Sequence, residues 1–286
     1  MPSILSIQSH VAYGYVGNRA AVFPLQRLGV EVHAVNTVQF SNHTGYGDWT
    51  GEVFGPAHIR EVIDGMAQRG VLATTDAVLS GYMGAHDLGQ VIIDTVARIR
   101  AQRPGARYCC DPVMGDVGRG FFVRPGIPEF MREIAVPAAD IITPNQFELD
   151  YLTGLPSNTL DEALAASARA RSLGPSMVLV TSLVREQTPP DSIEMLLDST
   201  EGAWLVRTPR LPVEPAPNGA GDCTSALFLA KILETEDPPA ALAHVAAALH
   251  ALFTATHRSG GRELALIQAQ AALVDPPRRF IPEKLR

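Results

Sequence analysis

Short apolar runs alternate with helical faces along most of the chain. Residues 3–7 read as a first strand with the polar edge Gln8-Ser9-His10 directly after it. Residues 18–28 place Ala21, Val22, Leu25 and Leu28 on one helical face, and Gly29 is a stop signal. The pattern returns to a strand over 30–36, then to a helix over 56–69 with Ile59, Val62, Ile63 and Met66 on one side. Strands follow at 77–80, 107–110, 141–142 and 177–181, with a helix over 88–102 between the first two. Thr159-Leu160-Asp161-Glu162 has the form of a capping box, opening a helix that runs to about Leu173 before Gly174. Segments 194–199 and 203–207 read as a hairpin around Glu201-Gly202, and helices over 220–233 and 239–256 close the pattern.

Repeated strand–helix units with short connections predict an α/β fold: a mostly parallel sheet covered by helices on both faces. No repeat, low-complexity tract or linker divides the chain, so residues 1–286 are expected to form one domain. Segment 35–54 is too rich in glycine and aromatic residues for the repeating core and is expected to be a flap or small edge ribbon. Residues 187–191 read as a loop.

Composition narrows the function. Of 286 residues, 46% are hydrophobic and 19% charged, which fits a packed core and excludes a wholly disordered chain. A formal charge of −7 argues against a broad nucleic-acid surface. The three cysteines include no CxxC pair and read as small buried hydrophobes in a reducing compartment. The first residues lack a signal peptide's basic and apolar regions, and no uninterrupted apolar stretch approaches the ~20 residues of a membrane span. A cytoplasmic protein without membrane partners is the expectation.

In an open parallel sheet, ligands bind beyond the carboxyl ends of the strands. The residues there are polar at nearly every strand: Ser9, Asn36-Thr37, Ser80-Gly81-Tyr82, Asp111-Pro112, Thr143-Pro144-Asn145 and Thr181-Ser182. The sharpest local signal is Asn218-Gly219-Ala220-Gly221-Asp222 at the head of a helix. Two glycines allow a tight turn with bare amides, and the helix end adds partial positive charge, so the loop suits an anion. Asp222 beside it is placed to accept a proton from an attacking hydroxyl, or to act only as a helix cap. No P-loop, dinucleotide fingerprint or nucleophile elbow is present. Asp111, Asp116 and Glu148 are candidate magnesium ligands, since magnesium takes one or two carboxylates plus phosphates and waters. The Asn145–Glu148 spacing fits a helix N-cap and its partner equally well. His10 and His43 lack metal-pair spacing and read as hydrogen-bonding residues.

Several segments, read together, resemble one family. They are Gln8-Ser9-His10-Val11, Gly14-Tyr15-Val16-Gly17-Asn18, residues 37–46, Ser80-Gly81-Tyr82, residues 110–115, residues 142–148 and Gly219-Ala220-Gly221-Asp222. In this order they resemble the pyridoxal kinases, the vitamin B6 salvage enzymes of the ribokinase superfamily. The glycine-rich element is common to the superfamily, whereas the N-terminal run and residues 38–46 are specific to the pyridoxal kinases.

The resemblance implies a ribokinase-like three-layer sandwich and ATP-dependent phosphorylation of the pyridoxal 5′-hydroxyl, with pyridoxine and pyridoxamine as related substrates. It places Ser9, Val16, Phe40, Thr44, Gly45 and Tyr82 around pyridoxal. It places Asp111, Thr143, Glu148, Thr181 and Ser182 toward ATP and Mg2+, with Thr208, Pro209, Arg210 and Leu211 near the base. Asp222 would be the base, and Gly219, Ala220 and Gly221 the anion hole. A monovalent cation such as K+ and a homodimer are further implications. Two departures stand out: one bacterial branch carries Lys-His where this chain has Thr181-Ser182, and residues 209–217, with four prolines, diverge from the family. Two other functions compete, a hydroxymethylpyrimidine kinase and a non-catalytic B6 carrier on a kinase fold.

Overall fold

Alternate residues of the central strands bury themselves on opposite faces of the sheet, and this builds two cores. In a computed structural model describing residues 1–286, Ala77 and Leu79 pack on one side and Val78 on the other. Cys109 likewise opposes Tyr108 and Cys110. Burial on both faces explains why these segments read as continuous apolar runs.

The strands are β1 (Ser3–Val11), β2 (Glu31–Phe40), β3 (Gly51–Val53), β4 (Ala77–Ser80), β5 (Arg107–Cys110), β6 (Gly115–Asp116), β7 (Gly120–Phe121), β8 (Ile141–Ile142), β9 (Met177–Leu183), β10 (Ser192–Ser199), β11 (Gly202–Pro209) and β12 (Glu283–Lys284). Ten of them make one sheet in the order β12-β11-β10-β9-β8-β5-β4-β1-β2-β3. Its centre, from β2 to β9, is parallel. Antiparallel strands flank it, β3 beside β2 and β10 to β12 beyond β9. β6 and β7 form a separate two-stranded ribbon. The sheet is the ribokinase-like arrangement expected, and the 35–54 segment is an edge ribbon made of β3 and the end of β2.

Helix bounds follow the apolar periodicity closely: Asn18–Arg27, Pro56–Gln68, Asp87–Gln102, Leu160–Arg171, Ala220–Thr235 and Pro238–Ser259. The Thr159 capping box forms as expected, with Thr159 Oγ1 accepting from Glu162 N at 3.2 Å. Helix Pro238–Ser259, whose apolar residues are interrupted by His244 and His250, is long and apolar enough on average to cross a membrane by length and composition, but half of its apolar window is buried inside the fold. It packs against helix Ala220–Thr235 and strands β10 and β11.

One local expectation is corrected, and two elements appear that the pattern did not predict. β1 continues through Val11, so Gln8, Ser9 and His10 lie inside the strand, with a register shift against β2 between Gln8 and His10. Such a shift re-aims a side chain next to a binding site. The β6–β7 ribbon is too short to leave a period. The helical stretch from Ile127 to Ala138 is broken by a π-turn at Met131–Ala135 and carries Pro128 and Pro137, which hide its pattern.

Candidate functional site

The carboxyl ends of the parallel strands and the head of helix Ala220–Thr235 open onto one cleft of about 820 Å³. That lies within the usual span of ligand sites, roughly 300–1,000 Å³.

At its centre stands the glycine-rich turn. Gly219 is the N-cap with φ 85°, a left-handed conformation that favours glycine. Asp222 is therefore the third residue of the helix and not its N-cap. Its carboxyl is half-buried in the cleft wall. Burial pushes its pKa above the ordinary value, while the backbone amides of Gly17 and of Asp222 itself pull the other way. A base poised in this manner is better matched to proton abstraction near neutral pH than an ordinary carboxylate. Across from it, Asp111 closes the floor. A β-carbon on Gly221 would stand 3.8 Å from Asp111 Oδ2, so this glycine leaves the space between the helix amides and Asp111 open.

Asp111 follows β5 and is buried. Burial first, then the charges of Glu148 and Asp222, raise its pKa well above the usual carboxylate range, against hydrogen bonds from Ser225 and Thr143. Thr143 Oγ1 and Ser225 Oγ lie 2.7 Å apart, and Ser225 Oγ is also within hydrogen-bond reach of the Gly221 carbonyl at 3.0 Å. This chain of hydroxyls ties β8 to the glycine turn.

Glu148 is a true capping-box residue: Asn145 Oδ1 accepts from its amide at 2.9 Å, and its Oε2 accepts from Asn145 N at 2.9 Å. Its Oε1 reaches further and accepts from Met114 N at 2.8 Å. The glutamate thus pins the segment after Asp111 to the helix Gln146–Thr153. Burial pushes its pKa up to about 8 despite those amide hydrogen bonds. Asp116 lies on the exposed ribbon turn and caps Val117 N at 2.8 Å. The three carboxylates do not assemble with other groups into a closed metal cage. Two buried acids with raised pKa values and no cationic partner nonetheless fit a cation that brings phosphate and water ligands of its own.

One end of the cleft is apolar. Val11, Val16, Val38 and Phe40 form a small separate core against which Val53 and Tyr82 pack. Ser9 enters the same wall, and Gly17 (φ 55°) lies so close to the Ser9 carbonyl that a β-carbon there would overlap it. Thr44 and Tyr82 complete this end. At the opposite end stand Thr181, Ser182, Thr208, Arg210 and Leu211. Ser182 has φ 52°, an uncommon conformation for a residue with a side chain and one that clusters at functional sites.

Two expected residues do not line the cleft. Gly45 turns its amide to His43 Nδ1 at 3.0 Å and its carbonyl to Arg262 at 2.7 Å. Pro209 is held in the ladder opposite Ser192. The cleft also contains residues that the sequence did not point to, among them Arg119, Phe122, His250 and Phe253. The last two come from the helix Pro238–Ser259, and only the fold brings them there.

The geometry has close counterparts. The phosphomethylpyrimidine kinase family model matches residues 66–263. Pyridoxal kinase PdxY of Rubrobacter xylanophilus is 59% identical over 279 residues, covering 97% of this chain and 96% of its own. PdxY of Deinococcus radiodurans is 53% identical over 287 residues, covering 99% and 96%. The structure of Leishmania donovani pyridoxal kinase in complex with ADP and pyridoxamine matches with a TM-score of 0.91 at 30% identity over 100% of both chains. With relatives this similar over nearly the whole length and a cleft built around the glycine-rich turn, the chain belongs to the pyridoxal kinase family.

Proposed function

We propose that this chain transfers the γ-phosphoryl group of ATP to the 5′-hydroxyl of pyridoxal, and of pyridoxine and pyridoxamine, in vitamin B6 salvage. The observation that carries the reading is the placement of Asp222 and the bare helix amides between an apolar end lined by Val16 and Phe40 and a polar end lined by Thr181, Thr208 and Arg210. The apolar end suits a small aromatic ring and the polar end a nucleotide.

Asp222 accepts the alcohol proton as the oxygen attacks. The amides of Ala220 and Gly221, at the positive end of the helix, stabilise the equatorial oxygens of the transferring group. Ser9 hydrogen-bonds the polar edge of the ring. Asp111, with Asp116 at the ribbon and Glu148 behind it, would hold a divalent ion, which would supply positive charge to offset that of the phosphates. The family resemblance also implies a monovalent cation such as K+, which would relieve the crowding of acids around Asp111. Three buried free thiols suit a cytoplasmic setting. The family resemblance extends the reading to a homodimer.

One observation favours a second reading, hydroxymethylpyrimidine phosphorylation: the family match begins at residue 66. It covers the phosphoryl-transfer half and omits residues 9–46, which line the ring end. Those residues decide for pyridoxal. A carrier needs neither the acid nor the glycines. A steady-state assay with pyridoxal, pyridoxine, pyridoxamine and hydroxymethylpyrimidine, with and without ATP, separates the three. Pyridoxal should be phosphorylated with the highest kcat/KM; preference for the pyrimidine, or binding without ATP consumption, rejects the reading.

A further inference from the structure

The Thr44–Tyr46 turn has no buried residue, yet it carries one side of the ring pocket. Its own hydrogen bonds are local, from Gly45 N to His43 Nδ1 and from Tyr46 and Gly47 N to His43 and Thr44 carbonyls. A turn so poorly anchored belongs to the low-stability end of a fold. Two long-range hydrogen bonds restrain it, and both come from the segment after the helix Pro238–Ser259. Tyr46 Oη donates to Glu263 Oε1 at 2.5 Å, and Arg262 Nη2 donates to the Gly45 carbonyl at 2.7 Å. The Arg262 guanidinium also stacks 3.9 Å from the centre of the Tyr46 ring.

The second oxygen of Glu263 acts on the other pocket loop. Glu263 Oε2 accepts from Tyr15 N at 2.9 Å, beside Val16. Gly14, at φ 89°, makes room for it: a β-carbon there would lie 2.5 Å from Glu263 Oε2. One carboxylate therefore spans two loops that lie 217 and 248 residues away in sequence. Its own base is rigid. Leu264 and Leu266 are buried in the core, and Ala265 N donates to Thr256 Oγ1 at 3.0 Å.

We propose that Glu263, aided by Arg262, is a positioning residue that latches the Gly14–Gly17 and Thr44–Tyr46 loops together and so sets the shape of the ring end of the cleft. This rests on the vitamer reading for its kinetic consequence, but the latch itself is a property of the free protein. Glu263 lies outside the cleft lining and holds the two ring-pocket loops directly, whereas it reaches the glycine turn only through Tyr15, so its effect falls first on the alcohol substrate.

The test combines Glu263→Ala, Glu263→Gln and Tyr46→Phe with two readouts. Charge-assisted hydrogen bonds of this kind support an expected rise of about tenfold in KM for pyridoxal in Glu263→Ala, with a clearly smaller change in KM for ATP. Glu263→Gln can keep both contacts, its Oε1 accepting from Tyr15 N and its Nε2 donating to Tyr46 Oη in place of the present bond, and should restore most of the affinity. Tyr46→Phe should give a smaller rise, and adding it to Glu263→Ala should cost less than the two separate effects combined. Amide hydrogen exchange without ligands should accelerate in Glu263→Ala at residues 14–17 and 43–48, with the helix Ala220–Thr235 unchanged. Unaltered exchange in both loops overturns the latch, as does a parallel loss of affinity for ATP and pyridoxal or a Gln variant no better than Ala. Absence of pyridoxal turnover in the unsubstituted chain would instead reject the vitamer reading, and the exchange result would still decide the latch.

Discussion

Gly219 lies against Tyr15 so closely that a β-carbon at position 219 would overlap the Tyr15 carbonyl oxygen. The anion-binding turn is thus seated directly on the loop that carries the ring pocket, and Asp222 hangs between them. The two glycines of the turn serve different ends. Gly219 has a left-handed backbone and a steric wall, whereas Gly221 has open space bounded by Asp111.

This contrast predicts different failures for the two alanine variants. Gly219→Ala should lose about 1–3 kcal/mol of stability through backbone strain and the clash with Tyr15, read as a lower Tm or denaturation midpoint. Gly221→Ala should fold normally, since alanine is the better helix former. Its methyl group intrudes where transferring oxygens meet the amides, so kcat should fall by about tenfold or more. Equal stability losses in both variants would contradict the division.

Burial gives the folded protein a pH-dependent stability. Asp111 and Glu148 both bind their protons more tightly folded than unfolded, with Glu148 pushed up to about 8. The Glu148 contribution is therefore full below the ordinary carboxylate range and is lost as pH rises toward and through about 8, and that of Asp111 has the same sign. Without added cations, Tm should fall between pH 5 and pH 9. Glu148→Gln should shallow that fall, and K+ or Mg2+ should raise Tm more at pH 9 than at pH 6. A Tm that climbs from pH 6 to pH 9 in the absence of cations would contradict this.

Catalysis should carry its own signature of burial. Since burial raises the Asp222 pKa, the acid limb of kcat/KM should break above the ordinary aspartate value, and activity should rise with pH through that break. A pH–rate profile with its acid break at or below the ordinary value would show that Asp222 is not the titrating base.

Phe40 stacks on Trp49 with ring centres 4.1 Å apart and belongs to the small apolar core at the ring end. Phe40→Ala should raise KM for pyridoxal by about tenfold or more, through lost aromatic burial, and leave KM for ATP nearly unchanged. A matching rise for both substrates would move Phe40 out of the ring site.

Much of this was legible along the chain because the central strands are buried on both sides and their apolar runs are unambiguous. The glycine turn was legible because its residue types are demanded by the backbone. Other features leave no local trace. His250 and Phe253 lie on an ordinary apolar helix and reach the cleft only through packing. Glu263 follows a glycine pair and looks like a solvated loop acid; its partners at Tyr15 and Tyr46 are set by tertiary structure alone. Gly45 was expected in the wall on the strength of resemblance, but its two backbone groups are committed to His43 and Arg262.

The central claim concerns the alcohol proton and the carboxylate that receives it. Single-turnover transfer from ATP to pyridoxal, followed in the unsubstituted chain and in Asp222→Asn with both substrates saturating, addresses it directly. The asparagine variant keeps the shape of the turn and should slow transfer by about 10²–10⁴-fold, with substrate affinities little changed. Transfer at a near-normal rate in that variant would contradict the account.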